Sequence, residues 1–314
     1  MESIIITITS LLLLYSSSGA NFNPENIIIK VSASETYKFP YHLALAKPMS
    51  FPYRLRGVPN FDANDITAGG AIVADEETGR ILFEKDSYDK KSIASLTKLM
   101  TALVWWEVDG DLEKIIEIKS EDYREGGIAY FISGEKVRVR DLLNAGLIAS
   151  SNSAMAALVR STGITEEDFV SLMNEKAESL GMYNTRFKEP TGLDYKNISV
   201  ASDLFILARE VFKNPILASI TQKASYSFTP IGKGATRNIQ STDWLLSEKN
   251  STFQVVGGKT GYIEESNYNF ILKARSNEGK NVIIVLLGSS DKGTRFEEAK
   301  KLVNWVFNNY VWKI

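Results

Sequence analysis

No cysteine occurs anywhere in the 314 residues, and only one histidine, His42. Without cysteine there are no disulfides, no thiolate zinc sites, no iron–sulfur clusters and no thiol nucleophile. A single histidine rules out a multi-histidine metal site. A Ser-His-Asp triad would have to recruit His42, which lies in Pro40-Tyr41-His42-Leu43, far from every motif below. A lone histidine so placed is read as surface or packing. Any hydrolytic chemistry must therefore run on Ser, Thr, Lys, Tyr, Asp or Glu. Charge of either sign is not in excess: the formal net charge is −2, which gives no general pull toward nucleic acid or anionic lipid. Proline is scarce, and five of its eight occurrences (Pro24, Pro40, Pro48, Pro52 and Pro59) fall before residue 60. Residues 21–65, where they cluster, have little periodicity and are read as a loop-rich extension.

One long apolar run is present, Ile4 to Tyr15, followed by Ser16-Ser17-Ser18-Gly19-Ala20. Small residues at Ser18 and Ala20 suit a signal peptidase, and about 12 apolar residues are short for a membrane span. Against the export pattern, Glu2 precedes the run and no Lys or Arg does. A cleaved signal over residues 1–20 is the expectation, with an uncleaved anchor or a buried strand as alternatives. An exported, extracytoplasmic protein follows from either of the first two.

From Ala68 onward the patterning sharpens. Strands are expected at 70–75 and 80–84 around a Glu76-Glu77-Thr78-Gly79 turn, then an apolar helix over 95–108. Helical spacing recurs at 139–148, 153–161, 166–180 and 202–212, the last stopped by Asn214-Pro215. Strands follow at 225–229, 253–262, 268–274 and 282–287, and a closing helix at 296–311. Strands at both ends with helices between predict an α+β, three-layer αβα domain over residues 66–314. Its antiparallel sheet would be built from both chain ends, with the helical block as an insertion.

Three short motifs carry chemistry. Ser95-Leu96-Thr97-Lys98 alone is weak, since Ser87…Lys90 and Ser289…Lys292 also fit the spacing. Taken by itself it reads more readily as a helix-cap serine followed by a solvated lysine. Context distinguishes it. Ser95 opens an apolar helix, in the positive field of the helix N-terminus, and one turn puts Lys98 on the same face. A lysine among Leu96, Leu99 and Met100 is desolvated, which lowers its pKa and lets it take a serine proton. Ser150-Ser151-Asn152 lies between two helical patterns and supplies a hydroxyl for proton relay and an amide for orientation. It reads equally as a helix cap. Lys259-Thr260-Gly261 follows Gly257-Gly258 on a predicted strand. There Lys259 would hold positive potential, Thr260 would bind a carboxylate, and Gly261 would admit substrate to the backbone.

Together, and in this order, the three match the set shared by penicillin-binding proteins and class A β-lactamases. The chain resembles the low-molecular-mass penicillin-binding proteins that are D-alanyl-D-alanine carboxypeptidases, the S11 peptidases. The likeness extends through Ala94–Leu103, Gly134-Glu135-Lys136-Val137, Asp141-Leu142-Leu143, Leu180–Thr185 and Pro190-Thr191-Gly192-Leu193. The resemblance implies a β-lactamase/transpeptidase-like fold, Ser95 as nucleophile, Lys98 as general base, and Ser150 and Asn152 as relay and orienter. It implies that Lys259, Thr260 and Arg295 bind the substrate's terminal carboxylate. Gly261 and Tyr262 would line the strand, and the backbone N–H groups of Ser95 and Tyr262 would form the oxyanion hole. It implies no metal or cofactor, a peptidoglycan stem peptide as substrate, β-lactams as inhibitors and no nucleic-acid partner. Two departures stand out: Ser151 where the family often has glycine, and Tyr262-Ile263-Glu264-Glu265-Ser266 in place of small residues. The chain stops after its closing helix, so the second domain and C-terminal amphipathic anchor of many relatives are expected to be absent. Two rivals are a class A-like β-lactamase, with Glu189 activating the deacylating water, and an inactive wall-peptide-binding module.

Overall fold

The computed structural model describes residues 49–232, 234–248 and 252–313. The apolar N-terminal run and His42 lie outside the described residues. Thirteen strands and seven helices follow in chain order among those residues. The N-terminal strands are β1 (Phe51–Arg54), β2 (Gly70–Asp75), β3 (Ile81–Lys85) and β4 (Lys91–Ser92). A 3₁₀ turn, Ala94–Leu96, then leads into α1 (Thr97–Val108). The middle of the chain holds β5 (Ile115–Glu117), β6 (Lys136–Arg138), α2 (Val139–Ile148), α3 (Asn152–Ser161), α4 (Glu166–Ser179), β7 (Ile198–Ser199), α5 (Ala201–Lys213) and α6 (Pro215–Thr221). The C-terminal part is β8 (Ser225–Phe228), β9 (Arg237–Gln240), β10 (Phe253–Ile263), β11 (Asn267–Ser276), β12 (Asn281–Ser289), α7 (Thr294–Asn309) and β13 (Tyr310–Lys313).

The main sheet has the order β10-β11-β12-β2-β3, with every neighbouring pair antiparallel. It is assembled from both ends of the described chain around the helical block, as the pattern of elements predicts. Its side chains alternate between two cores. Ile72, Ala74, Ile283, Val285 and Leu287 pack against the helical block. Ala71, Val73, Val282, Ile284 and Leu286 pack against Phe296, Ala299, Leu302, Val303 and Val306 of α7. Covering both faces explains why β2, Gly-Ala-Ile-Val-Ala-Asp, is buried along its whole length rather than alternating. Each buried Val, Leu, Ile or Phe among them contributes roughly 1.5–3 kcal/mol, and the alanines less.

Helix α1 is the axis of the helical layer. It packs against α2, α3, α4 and α5 and is buried from Thr97 to Trp105 on all sides. A helix apolar all round has to be interior. That is why its one lysine, Lys98, is carried out of water.

Several elements differ from the sequence pattern, the short strands β4, β5, β6 and β7 among them. Helix α7 starts two residues earlier than its apolar spacing indicates and ends at Asn309. The residues after it form β13, which pairs with β1. This pairing ties part of the proline-rich lead-in to the chain's last strand, a contact between positions some 250 residues apart that local periodicity does not encode. Pro215 stops α5 but also starts α6: Asn214 caps the new helix, accepting from the N–H groups of Ile216 and Leu217. Finally, β9 pairs with β8 in a hairpin the sequence pattern did not reveal. No helix among the described residues is long and apolar enough to cross a membrane.

Candidate active site

The site forms where the 3₁₀ turn before α1, the α2–α3 junction and strand β10 meet. Ser95 sits in the turn, not in the helix proper, one turn ahead of Lys98. Ala94 adopts φ +46°, a left-handed conformation that costs a non-glycine residue about 1 kcal/mol or more. The turn is gripped from two sides by glycines. A Cβ on Gly192 would lie 2.1 Å from the Ala94 carbonyl oxygen and 2.8 Å from Ser95 N. A Cβ on Gly261 would lie 2.9 Å from the Ile93 carbonyl oxygen and 3.3 Å from Ser95 N. Only bare backbone fits at either position, so the Pro-Thr-Gly-Leu loop and β10 fix where Ser95 sits.

Lys98 is fully buried, and its Nζ donates to Ser95 Oγ at 2.8 Å, Asn152 Oδ1 at 2.7 Å and the Thr191 carbonyl oxygen. Burial pushes its pKa from the ordinary 10.5 down to about 7, partly opposed by the charge of Glu189. A lysine near neutrality at physiological pH exposes a lone pair to the Ser95 hydroxyl. Asn152 opens α3 and donates through Nδ2 to the Glu125 carbonyl oxygen at 2.8 Å, which fixes the amide with its oxygen toward Lys98.

Ser150 holds φ +58° in the bend between α2 and α3. Its Oγ accepts from Lys259 Nζ at 2.8 Å. Ser151, the departure from glycine, caps α3 by accepting from the Ala154 N–H at 3.3 Å. A side-chain cap there is worth about 1 kcal/mol. Lys259 is almost fully buried, and its pKa lies well below 10.5. Desolvation is the main cause, followed by repulsion from Lys98 and Arg295, with Asp243 opposing. Thr260 Oγ1 donates to Thr242 Oγ1 at 2.6 Å. Arg295, one residue into α7, is buried and donates to the carbonyl oxygens of Gly261 at 3.1 Å and Asn269 at 3.3 Å. Its guanidinium lies over Phe296 and Tyr268, and burial lowers its pKa to about 10. Tyr262 is half exposed and stacks on Tyr268 with ring centroids 4.4 Å apart. All nine residues singled out in the sequence therefore converge on one place. Strand β10 is also an edge of the sheet, with one side free of a strand partner among the described residues.

Four further residues shape the site: Thr191 falls in the Pro190-Thr191-Gly192-Leu193 stretch, while no motif marks Asn197, Thr242 or Asp243. Thr191 supplies the third acceptor for Lys98. Asn197 is buried and donates to Thr97 Oγ1 at 3.1 Å, to the Glu189 backbone carbonyl and to Glu189 Oε1. Thr242 anchors Thr260. Asp243 lies under β10, with Oδ2 at 2.5 Å from where a Gly258 Cβ would be. Glu189, the candidate water activator, is held inside its own loop. It accepts from Thr191 N at 2.7 Å, Thr191 Oγ1 at 2.6 Å, Gly192 N and Asn197 Nδ2 at 2.9 Å. Its carboxylate builds the loop that grips Ser95.

An αβα domain with a hydroxyl one helical turn from a buried lysine, a Ser-x-Asn bend and a Lys-Thr-Gly edge strand defines the class of penicillin-interacting serine peptidases. The family model described as Peptidase_S11, D-alanyl-D-alanine carboxypeptidase, matches residues 58–291, and the chain belongs to that family. It is 32% identical to a D-alanyl-D-alanine endopeptidase of Pseudomonas aeruginosa, over 80% of each chain. It is 31% identical to a D-alanyl-D-alanine carboxypeptidase of Bacillus subtilis, over 77% of this chain and 63% of that one. In structure it is similar to a D-alanyl-D-alanine carboxypeptidase of Mycobacterium tuberculosis, with TM-score 0.73 and 29% identity over 81% of this chain and 95% of that one. It is likewise similar to the Streptomyces K15 DD-transpeptidase, with TM-score 0.69 and 28% identity over 77% and 98% of the two chains.

Proposed function

We propose that the protein is an exported serine-type D-alanyl-D-alanine carboxypeptidase that removes the terminal D-alanine of peptidoglycan stem pentapeptides. The observation that carries this reading is the fully buried Lys98, with a pKa near 7, in hydrogen-bond contact with Ser95 Oγ. Neutral Lys98 takes the Ser95 proton as Oγ attacks the penultimate D-Ala carbonyl carbon. The oxyanion is met by the backbone N–H groups of Ser95 and Tyr262, usually the largest single contribution to such catalysis. The C–N bond breaks, and the departing D-alanine amine takes a proton relayed through Ser150. Water then cleaves the Ser95 ester. Lys259, Thr260 and Arg295 hold the terminal carboxylate, Asn152 orients Lys98, and the free edge of β10 at Gly261 and Tyr262 pairs with the peptide backbone. Residues 1–20 serve as the export signal, 21–65 as an extension and 66–314 as the catalytic domain, which is where β-lactams acylate.

The saturated Glu189 carboxylate argues against a class A-like β-lactamase. Conversely, the endopeptidase names of relatives at 32% and 36% identity favour one second reading, the same chemistry on a D-alanyl bond inside a cross-link. The test is intact mass with peptide mapping after brief exposure to a penicillin, followed by D-Ala release from a pentapeptide and cleavage of a cross-linked dimer. A long-lived adduct on Ser95 and D-Ala release, both lost in Ser95→Ala, are expected. Rapid destruction of the penicillin, or D-Ala release retained by Ser95→Ala, would overturn the assignment.

A further inference from the structure

Asp243 is a buried carboxyl, 2% exposed, in the short segment between β9 and β10. Its Oδ1 accepts from the Leu245 N–H at 3.0 Å, while Oδ2 has no hydrogen-bond partner among the described residues. That oxygen lies against Gly258, the residue before Lys259, where a Cβ would leave only 2.5 Å. The segment is fixed in place. Thr242 N donates to the Ile148 carbonyl oxygen, and Thr242 Oγ1 accepts from Thr260. The charged groups that act on Asp243 are Arg295 from α7 and Lys259 from β10. Arg295 Nε is also buried without a partner. No ion pair joins Asp243 to either cation among the described residues, so its charge acts through space.

We propose that Asp243 is a positioning residue that sets the net charge of the Lys259–Arg295 subsite, and through it the preference for peptides ending in a free carboxylate. The inference rests on the carboxypeptidase reading above, in which that pair receives the substrate carboxylate. With Asp243 ionised, its negative charge opposes the positive field that Arg295 and Lys259 hold at the incoming carboxylate. With it neutral, the anion is gone and the attraction rises. Burial without a partner on Oδ2 lifts its pKa from 3.8 to about 7, opposed by the Leu245 N–H, Arg295 and Lys259. The change of state therefore falls in the working pH range. As pH rises through 7, Asp243 gains its charge and binding of a free carboxylate weakens.

The experiment compares wild type with Asp243→Asn, which keeps the shape and removes the charge. KM and kcat are measured at pH 6 and pH 8.5 for a D-Ala-D-Ala peptide and for its C-terminal amide. At pH 6 the two proteins should have similar KM. At pH 8.5 the variant should bind the free-carboxylate peptide about three- to tenfold more tightly than wild type, with KM changing more than kcat and the amide unaffected. A KM that is unchanged or raised at pH 8.5, or an equal change with the amide, overturns the inference. Failure of the underlying reading is distinguishable, because wild type would then release no D-Ala from the peptide at either pH.

Discussion

The burial of Lys98 makes acylation pH-dependent in a calculable way. A fall from 10.5 to about 7 amounts to on the order of 5 kcal/mol in favour of the neutral amine, supplied by desolvation and reduced by Glu189. If neutral Lys98 is the base, the acylation rate follows its deprotonated fraction. That fraction is about one half at pH 7 and about one hundredth at pH 5, so the rate drops close to tenfold per unit below pH 6. The assay is stopped-flow acylation by a fluorescent penicillin between pH 5 and 8. Lys98→Met, which keeps length and loses the nitrogen, should slow acylation about 10²–10⁴-fold and abolish the acid limb. The same burial acts on stability. The folded state disfavours protonated Lys98, so this penalty is full below pH 7 and is relieved as pH rises from about 7 to 10.5. A rate independent of pH over this range, or a variant retaining more than a tenth of wild-type acylation, would refute the assignment of Lys98 as base.

Two further outcomes are expected. Gly192→Ala combines a left-handed φ of +89° with a Cβ 2.1 Å from the Ala94 carbonyl oxygen; it should cost about 2–5 kcal/mol in chemical denaturation and slow acylation by displacing the Ser95 turn. Ser151→Ala removes the cap on α3 and should lower Tm by about 2–4 °C for each ~1 kcal/mol lost, whereas Ser151→Gly should cost only a few tenths.

The candidate catalytic set was legible in the chain because its spacing is local. Ser95 and Lys98 are one helical turn apart, Ser150 and Asn152 span one bend, and Lys259 to Tyr262 are consecutive on a strand. The three-layer plan was legible too, since the period of apolar residues switches from two to helical and back. What local pattern cannot encode is which distant segments touch. The β1–β13 pair, the Glu189–Asn197 bonds that build the Pro-Thr-Gly-Leu loop, and Thr242 and Asp243 beneath β10 join positions with no shared periodicity. Glu189 shows the difference most sharply. Its sequence context allowed a water-activating base, and only the folded loop, closing five donors on its carboxylate, spends it on structure. The identities of the candidate reacting groups are therefore written in the sequence. Their protonation states were decided by the tertiary structure, because desolvation and through-space charge depend on what the fold packs around each group.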